Sequence, residues 1–252
     1  MSPTAGVLSE AWDLYKRHWR HLLTIAFVVY VAVALAALVL VGLLTWFGAI
    51  LAAIISLVAT FWVQGALVKA VDDVRDGRAD LSLGETFEHV RPQLPAIIVA
   101  GILAGLGIAL GLLLLIVPGL LLLTWWILIV PVIVLEQRRA GESFSRSREL
   151  VRGHGWGVFG VIVLTILLFI AFRIVLGLVL SPFADWLQGF LSEIVAGTLV
   201  TPFIAVAWTV LYYRLRDAKE APAAAEAPAP TEPPAPTEPA GPSQPPPPAT
   251  PA

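Results

Sequence analysis

The chain has 252 residues, 58% hydrophobic and 13% charged, with mean hydropathy +0.84 and formal charge −2. Soluble domains carry about a quarter of their residues as Asp, Glu, Lys or Arg, so an ordinary globular body is excluded, and the balanced charge excludes a general nucleic-acid-binding surface. The absence of cysteine excludes disulfides, thiolate metal sites and a thiol nucleophile.

Residues 9–20 form an amphipathic charged stretch followed by an apolar run far longer than the ~7–15 residues of a signal peptide. The first span is therefore expected to be retained. Residues 22–68 contain no Asp, Glu, Lys or Arg, and neither do residues 92–135. About 20 apolar residues cross a bilayer, and 47 in one helix would reach ~70 Å against a ~30 Å core. Each run therefore predicts two spans and a turn. The first turn is expected at 42–48, where Gly42, Thr45, Trp46 and Gly48 fall, and the second at Pro118-Gly119. A third apolar region, 153–213, is interrupted at Ser181-Pro182 and then carries Asp185 and Glu193. The expectation is an all-α polytopic membrane protein with spans near 22–43, 48–70, 95–116, 120–135, 156–180 and 192–213. Short juxtamembrane amphipathic helices complete a membrane domain of residues 1–216.

Fifteen of the sixteen Lys and Arg residues fall in four clusters: 16–20, 69–91, 138–152 and 214–219. With six spans, all four lie on one side and the three opposite turns carry no Lys or Arg. The positive-inside rule then places both termini in the cytoplasm, with the chain in the plasma (inner) membrane.

A threefold pattern precedes the three hairpins. LSEAWDLYKRHW (8–19), LGETFEHVRPQL (83–94) and FSRSRELVRGHG (144–155) superpose with Asp13, Glu88 and Glu149 together, and with Lys16, Arg91 and Arg152 together. Leu8, Trp12, Tyr15, Trp19 and Leu22 form an apolar stripe at helical spacing, repeated by Leu83, Phe87, Val90 and Leu94. Ser82 and Glu85 have capping-box spacing. In this register the third copy departs, with Arg148 where Trp12 and Phe87 stand. Such segments are expected to lie along the headgroup plane.

The stretch from Pro118-Gly119 through Trp125-Trp126 and 131–136 (PVIVLE) to 143–156 (SFSRSRELVRGHGW) resembles the membrane domain associated with glycerophosphoryl diester phosphodiesterases. Its YciC-like stand-alone relatives are uncharacterised multi-pass membrane proteins. The likeness extends over about residues 6–216 and is most specific at 146–153. It implies a membrane domain that in some members adjoins a separate catalytic barrel, for which this chain has no room. The resemblance therefore implies no enzyme activity here.

Residues that could carry chemistry are few. His18, His21, His89 and His154 form no His-x-x-x-His or His-Glu-x-x-His arrangement, and Asp72, Asp73, Asp76 and Asp80 match no calcium loop. No cofactor, metal or catalytic residue is expected. Arg173 is the only base inside a span; it is either an intramembrane polar site or a side chain pairing outward with Asp185 or Glu193. Gln64 reads as interhelical glue. Pro131 and Pro202 are expected to kink or weaken spans four and six, and with Pro118 and Gly119 they are the candidate hinges. Residues 217–252 form a Pro/Ala-rich tail expected to be disordered.

The expected function is a non-catalytic membrane scaffold or regulatory module at the cytoplasmic leaflet. Lys16, Arg17, Arg91, Arg146, Arg148 and Arg152 are the candidates for touching anionic headgroups of membrane lipids, a membrane-protein partner or a second copy of the chain. The alternative is a permease or exporter of a small amphiphile or lipid, using Arg173 and the proline-broken spans. An intramembrane enzyme is the third possibility, without a visible nucleophile–base pair.

Overall fold

The computed structural model describes residues 3–75 and 81–226, with side chains to residue 220. Every regular element among them is helical: α1 (Val7–Arg75), α2 (Leu83–Val90), a 3₁₀ turn (Arg91–Gln93), α3 (Leu94–Leu114), α4 (Ile116–Trp126), α5 (Ile129–Glu136), α6 (Ala140–Val151), α7 (Gly155–Leu180) and α8 (Asp185–Glu226). α1, the run from α2 through α3, the run from α4 through α5, α7 and α8 are each long and apolar enough to cross a membrane.

α1 is not one rod. Its backbone leaves helical geometry at His18 (φ −117°, ψ 22°) and at Thr45 (φ 52°, ψ −125°). A positive φ is costly for a β-branched residue, and here it reverses the chain. A Cβ on Gly48 would overlap the Leu40 carbonyl, and Val29, Tyr30 and Val33 share a cavity wall with Ser56, Thr60 and Val63. The reversal falls inside the expected 42–48 segment.

The second reversal requires a correction. The chain turns at Leu115 (φ −157°, ψ 133°), and Pro118-Gly119 lies inside the first turn of α4. Proline fits there because its missing N–H is one of the donors that a helix start leaves unpaired anyway. Gly119 lets the two helices meet: its Cα lies against Gly111, and a Cβ would strike the Leu112 backbone. The third reversal, residues 181–184, is where Ser181-Pro182 predicts it.

Span four, expected over 120–135 with a kink or weakening at Pro131, is two helices broken at Ile127-Leu128, and Pro131 is the third residue of α5. The proline ring cannot donate to the Ile127 carbonyl four residues earlier. α8, by contrast, runs through Pro202 and on to Glu226, ten residues into the segment expected as tail. The rest of that segment, 227–252, and Asp76, Arg78 and Asp80 of the acidic loop lie outside the described residues.

The core sits toward the ends of the helices that carry the basic clusters. Leu67, Ala70 and Val71 of α1, Leu128 and Val132 of the α4–α5 region, Leu150 and Val151 of α6, and Val206, Leu211 and Leu215 of α8 are buried in one cluster.

Candidate functional site

The structure resolves the register of the threefold pattern. α6 begins at Ala140, four residues before the expected third copy. Setting the second residue of α1 against the first residues of α2 and α6 superposes Leu8-Ser9-Glu10-Ala11-Trp12, Leu83-Gly84-Glu85-Thr86-Phe87 and Ala140-Gly141-Glu142-Ser143-Phe144. Ala11, Thr86 and Ser143 are each fully buried. The aromatic that follows meets a ring edge-on in all three: Trp12 with Phe203 at 6.0 Å, Phe87 with Trp62 at 5.4 Å, and Phe144 with Trp126 at 5.0 Å. Phe144, not Arg148, therefore stands where Trp12 and Phe87 stand. The register that superposes Asp13, Glu88 and Glu149 lies one helical turn away from this one.

Each amphipathic helix thus docks on the returning arm of the preceding hairpin, and the first closes the set by docking on α8. The fastenings differ. Tyr15 donates to the Leu199 carbonyl (3.0 Å), and Trp62 Nε1 donates to the Phe87 carbonyl (3.4 Å). Ser147 of α6 repairs the proline break: its hydroxyl donates to the Trp125 carbonyl (2.7 Å) and accepts from the Leu128 N–H (3.2 Å). Two backbone groups freed by the interruption are satisfied by one side chain. The Ser82–Glu85 capping box is formed. The expected Leu8–Leu22 stripe is only partly inward, because the His18 break turns it: Trp12 is 50% and Trp19 49% exposed, while Val7, Ala11 and Leu22 are buried.

Bases from three of the four clusters meet through ion pairs around the end of α8, and the N-terminal helix joins them through Glu10. Glu136 accepts from Arg138 (2.8 Å), Arg146 (3.0 Å) and the Tyr212 hydroxyl (3.0 Å). Arg146 extends to Glu149 (3.2 Å) and Glu220 (3.3 Å). Asp72 takes Lys69 (2.8 Å) and the Tyr213 hydroxyl, whose ring lies 3.7 Å beneath Arg75. Arg214 bonds Glu10 (2.8 Å) and the Ala5 carbonyl. Burial would lower the Arg146 guanidinium, but Glu136 and Glu149 outweigh that and hold it above its ordinary value.

The expected contact residues therefore divide. Arg146 is mostly buried in this network, with 17% of its side chain exposed, and is a structural cation. Lys16 pairs with Asp13 (3.2 Å) and Arg91 with Glu88 (3.6 Å), both on the surface. Arg148 lies 4.3 Å over the Trp125 ring. Arg17 and Arg152 are exposed. Arg173 pairs with Glu193 at 3.8 Å, both partly exposed, and Asp185 is the exposed first residue of α8. Among the residues not anticipated, Glu136, Tyr212, Asp72 and Tyr213 have a visible signal only in hindsight. They are polar side chains at the last turns of apolar runs, and their pairing is set by tertiary structure.

Two cavities adjoin these helices. One of about 200 Å³ lies between both arms of α1, α5 and α8, lined by Tyr30, Thr60, Gln64, Pro131, Thr201 and Trp208 among others. Tyr30 and Thr201 hydroxyls bond across it at 3.1 Å. The other is a groove of about 500 Å³ between α4 and the start of α7. His89 Nδ1 lies 2.7 Å from the Glu85 carbonyl, and among the described residues no three His, Asp or Glu side chains group as metal ligands. No family model, curated protein or solved structure matches the chain.

Proposed function

We propose that this chain is a non-catalytic, six-span plasma-membrane module with both termini cytoplasmic, working at the anionic cytoplasmic leaflet as a scaffold or regulatory subunit. The supporting observation is the triplicated helix. Three amphipathic segments at the same end of the bundle each place a cation at the same position, Lys16, Arg91 and Arg148, four residues past the edge-on aromatic. Half-exposed Trp12 and Trp19 have the amphipathic rings that favour the headgroup level. Kinship with the membrane domain of the glycerophosphoryl diester phosphodiesterases is part of the same proposal, and it would place the module near glycerophospholipid metabolism.

Each cation near an anionic leaflet contributes about 1 kcal/mol, so reversing all three should cost roughly 100-fold in lipid preference. The test is reconstitution with brominated lipids and tryptophan quenching. Wild type should prefer brominated phosphatidylglycerol over brominated phosphatidylcholine, and the triple Lys16→Glu, Arg91→Glu, Arg148→Glu variant should lose that preference. An unchanged ratio would overturn the proposal.

A second reading, a permease for a small amphiphile, draws on the polar-lined 200 Å³ cavity beside Pro131. Arg173 is not among its lining residues, so this reading now rests on Gln64, Thr60, Tyr30 and Thr201. Filling the cavity with Thr60→Phe should abolish uptake into proteoliposomes if transport is the function.

A further inference from the structure

The three equivalent cations are not in equivalent surroundings. Lys16 has Asp13 three residues before it, and Arg91 has Glu88. In the third copy that position is Ser145. Among the described residues Arg148 has no carboxylate partner, and it lies flat on Trp125 instead. Trp125 is also a wall of the 500 Å³ groove. Arg148 does not itself line the groove; in the one repeat without the neutralising acid, the cation is joined to the open apolar cleft through the Trp125 ring.

The lining of the groove is uncharged. α4 supplies Val117, Leu120 and Leu121, and α7 supplies Trp156 and Phe159. Trp125 and Val117 are eight residues apart, so the cleft follows α4 for ~12 Å. Gly153 and Gly155 line the cleft, and a Cβ on either would meet only open space. No side chain at these two positions therefore narrows it. Exposed Arg152 immediately precedes Gly153. The volume lies within the roughly 300–1,000 Å³ of small-molecule sites. An apolar channel with an exposed, carboxylate-free guanidinium set over its Trp125 wall is complementary to one ligand chemistry, a hydrocarbon chain ending in a phosphodiester.

We infer that the α4–α7 groove is a discrete site for one anionic glycerophospholipid, with an acyl chain along Val117–Trp125 and the phosphate at Arg148. This deepens the leaflet-binding reading and rests on it, since that reading predicts three similar surface contacts and this one singles out the third.

The experiment is native mass spectrometry of the full chain purified from membranes containing phosphatidylglycerol, counting retained lipid. Wild type should keep one phosphatidylglycerol per chain. Arg148→Ala and the groove-filling Leu121→Trp should each reduce occupancy at least tenfold, while Lys16→Ala and Arg91→Ala retain it. Thermal midpoints of all four should match wild type, because each altered side chain is at least partly exposed. Retention in both Arg148→Ala and Leu121→Trp would overturn the site, as would equal loss in all four variants. Equal loss would leave the leaflet reading standing, whereas an unchanged quenching ratio in the triple variant would overturn that reading itself.

Discussion

The two ends of these helices are built on different principles. At the end carrying the basic clusters, Ala66, Leu67, Ala70, Val71, Leu211, Tyr212 and Leu215 are fully buried, and ion pairs link α1, α5, α6 and α8. At the end carrying the turns, Leu43, Leu113, Leu114 and Leu178 are 70% or more exposed, and Trp46 is 72% exposed. Water would penalise that exposure by about 25 cal/mol for each Å²; hydrocarbon would not. Lipid removes the reason to bury apolar side chains. Polar side chains facing water and core together must still find partners. The difference fits the proposed membrane module, in which hydrocarbon lies against the exposed leucines and water reaches the ion-paired end.

The sharpest way to break this comparison is to remove Glu136. Arg138, Arg146 and Tyr212 would lose a shared acceptor in a site where Glu136 is only 15% exposed. Glu136→Ala should destabilise by about 3 kcal/mol, the range for losing charged hydrogen bonds in a mostly buried pair. Leu114→Ala should change stability by no more than about 0.5 kcal/mol. Thermal unfolding in detergent measures both, and equal losses would show that the two ends do not differ. Next is Ser147→Ala, which orphans the Leu128 N–H and the Trp125 carbonyl and should cost about 1–3 kcal/mol. Faster hydrogen exchange at the Leu128 amide would identify that break as the cause.

This contrast explains what was legible beforehand. Helical class, the reversals at 42–48 and 181–184 and the gathering of basic residues follow from hydropathy and charge, because long uncharged runs admit few other solutions. The turn at Leu115 was misplaced by three residues because Pro118 was read as a breaker, although a helix start tolerates it. The break at Ile127-Leu128 depends on Ser147, nineteen residues away from Leu128, and no local window contains that pairing. The true register of the third repeat was hidden for a related reason. The charges and Tyr15, Val90 and Val151 favour another register, whereas what the fold repeats is the small buried residue and the aromatic after it.

Within the turn end, the comparison predicts one exception. Gly119 abuts Gly111 and Leu112, so Gly119→Ala should cost about 1–3 kcal/mol by forcing α3 and α4 apart. Gly105, on the same α3, has open space around it. Gly105→Ala should therefore be neutral or stabilise by up to about 1 kcal/mol, as helix propensity alone dictates. Opposite signs for Gly119 at the α3–α4 contact and Gly105 elsewhere on α3 would localise the tightness to the crossing.

The smallest effect should come from Arg173 and the acid it pairs with. Arg173 and Glu193 are 3.8 Å apart, with 43% and 60% of their side chains exposed. That distance and exposure belong to a surface ion pair, for which coupling is typically below about 1 kcal/mol. Lengthening the reach by snorkelling lowers the cost of keeping Arg173 where it is, so neither partner depends strongly on the other. A double-mutant cycle with Arg173→Gln and Glu193→Gln, read by thermal unfolding in detergent, should give coupling under about 1 kcal/mol. Coupling of 2 kcal/mol or more, on the order of a desolvated pair, would mean that the turn end shelters charge as the basic end does. The division between a lipid-solvated half and a cross-linked half would then have to be redrawn around Arg173.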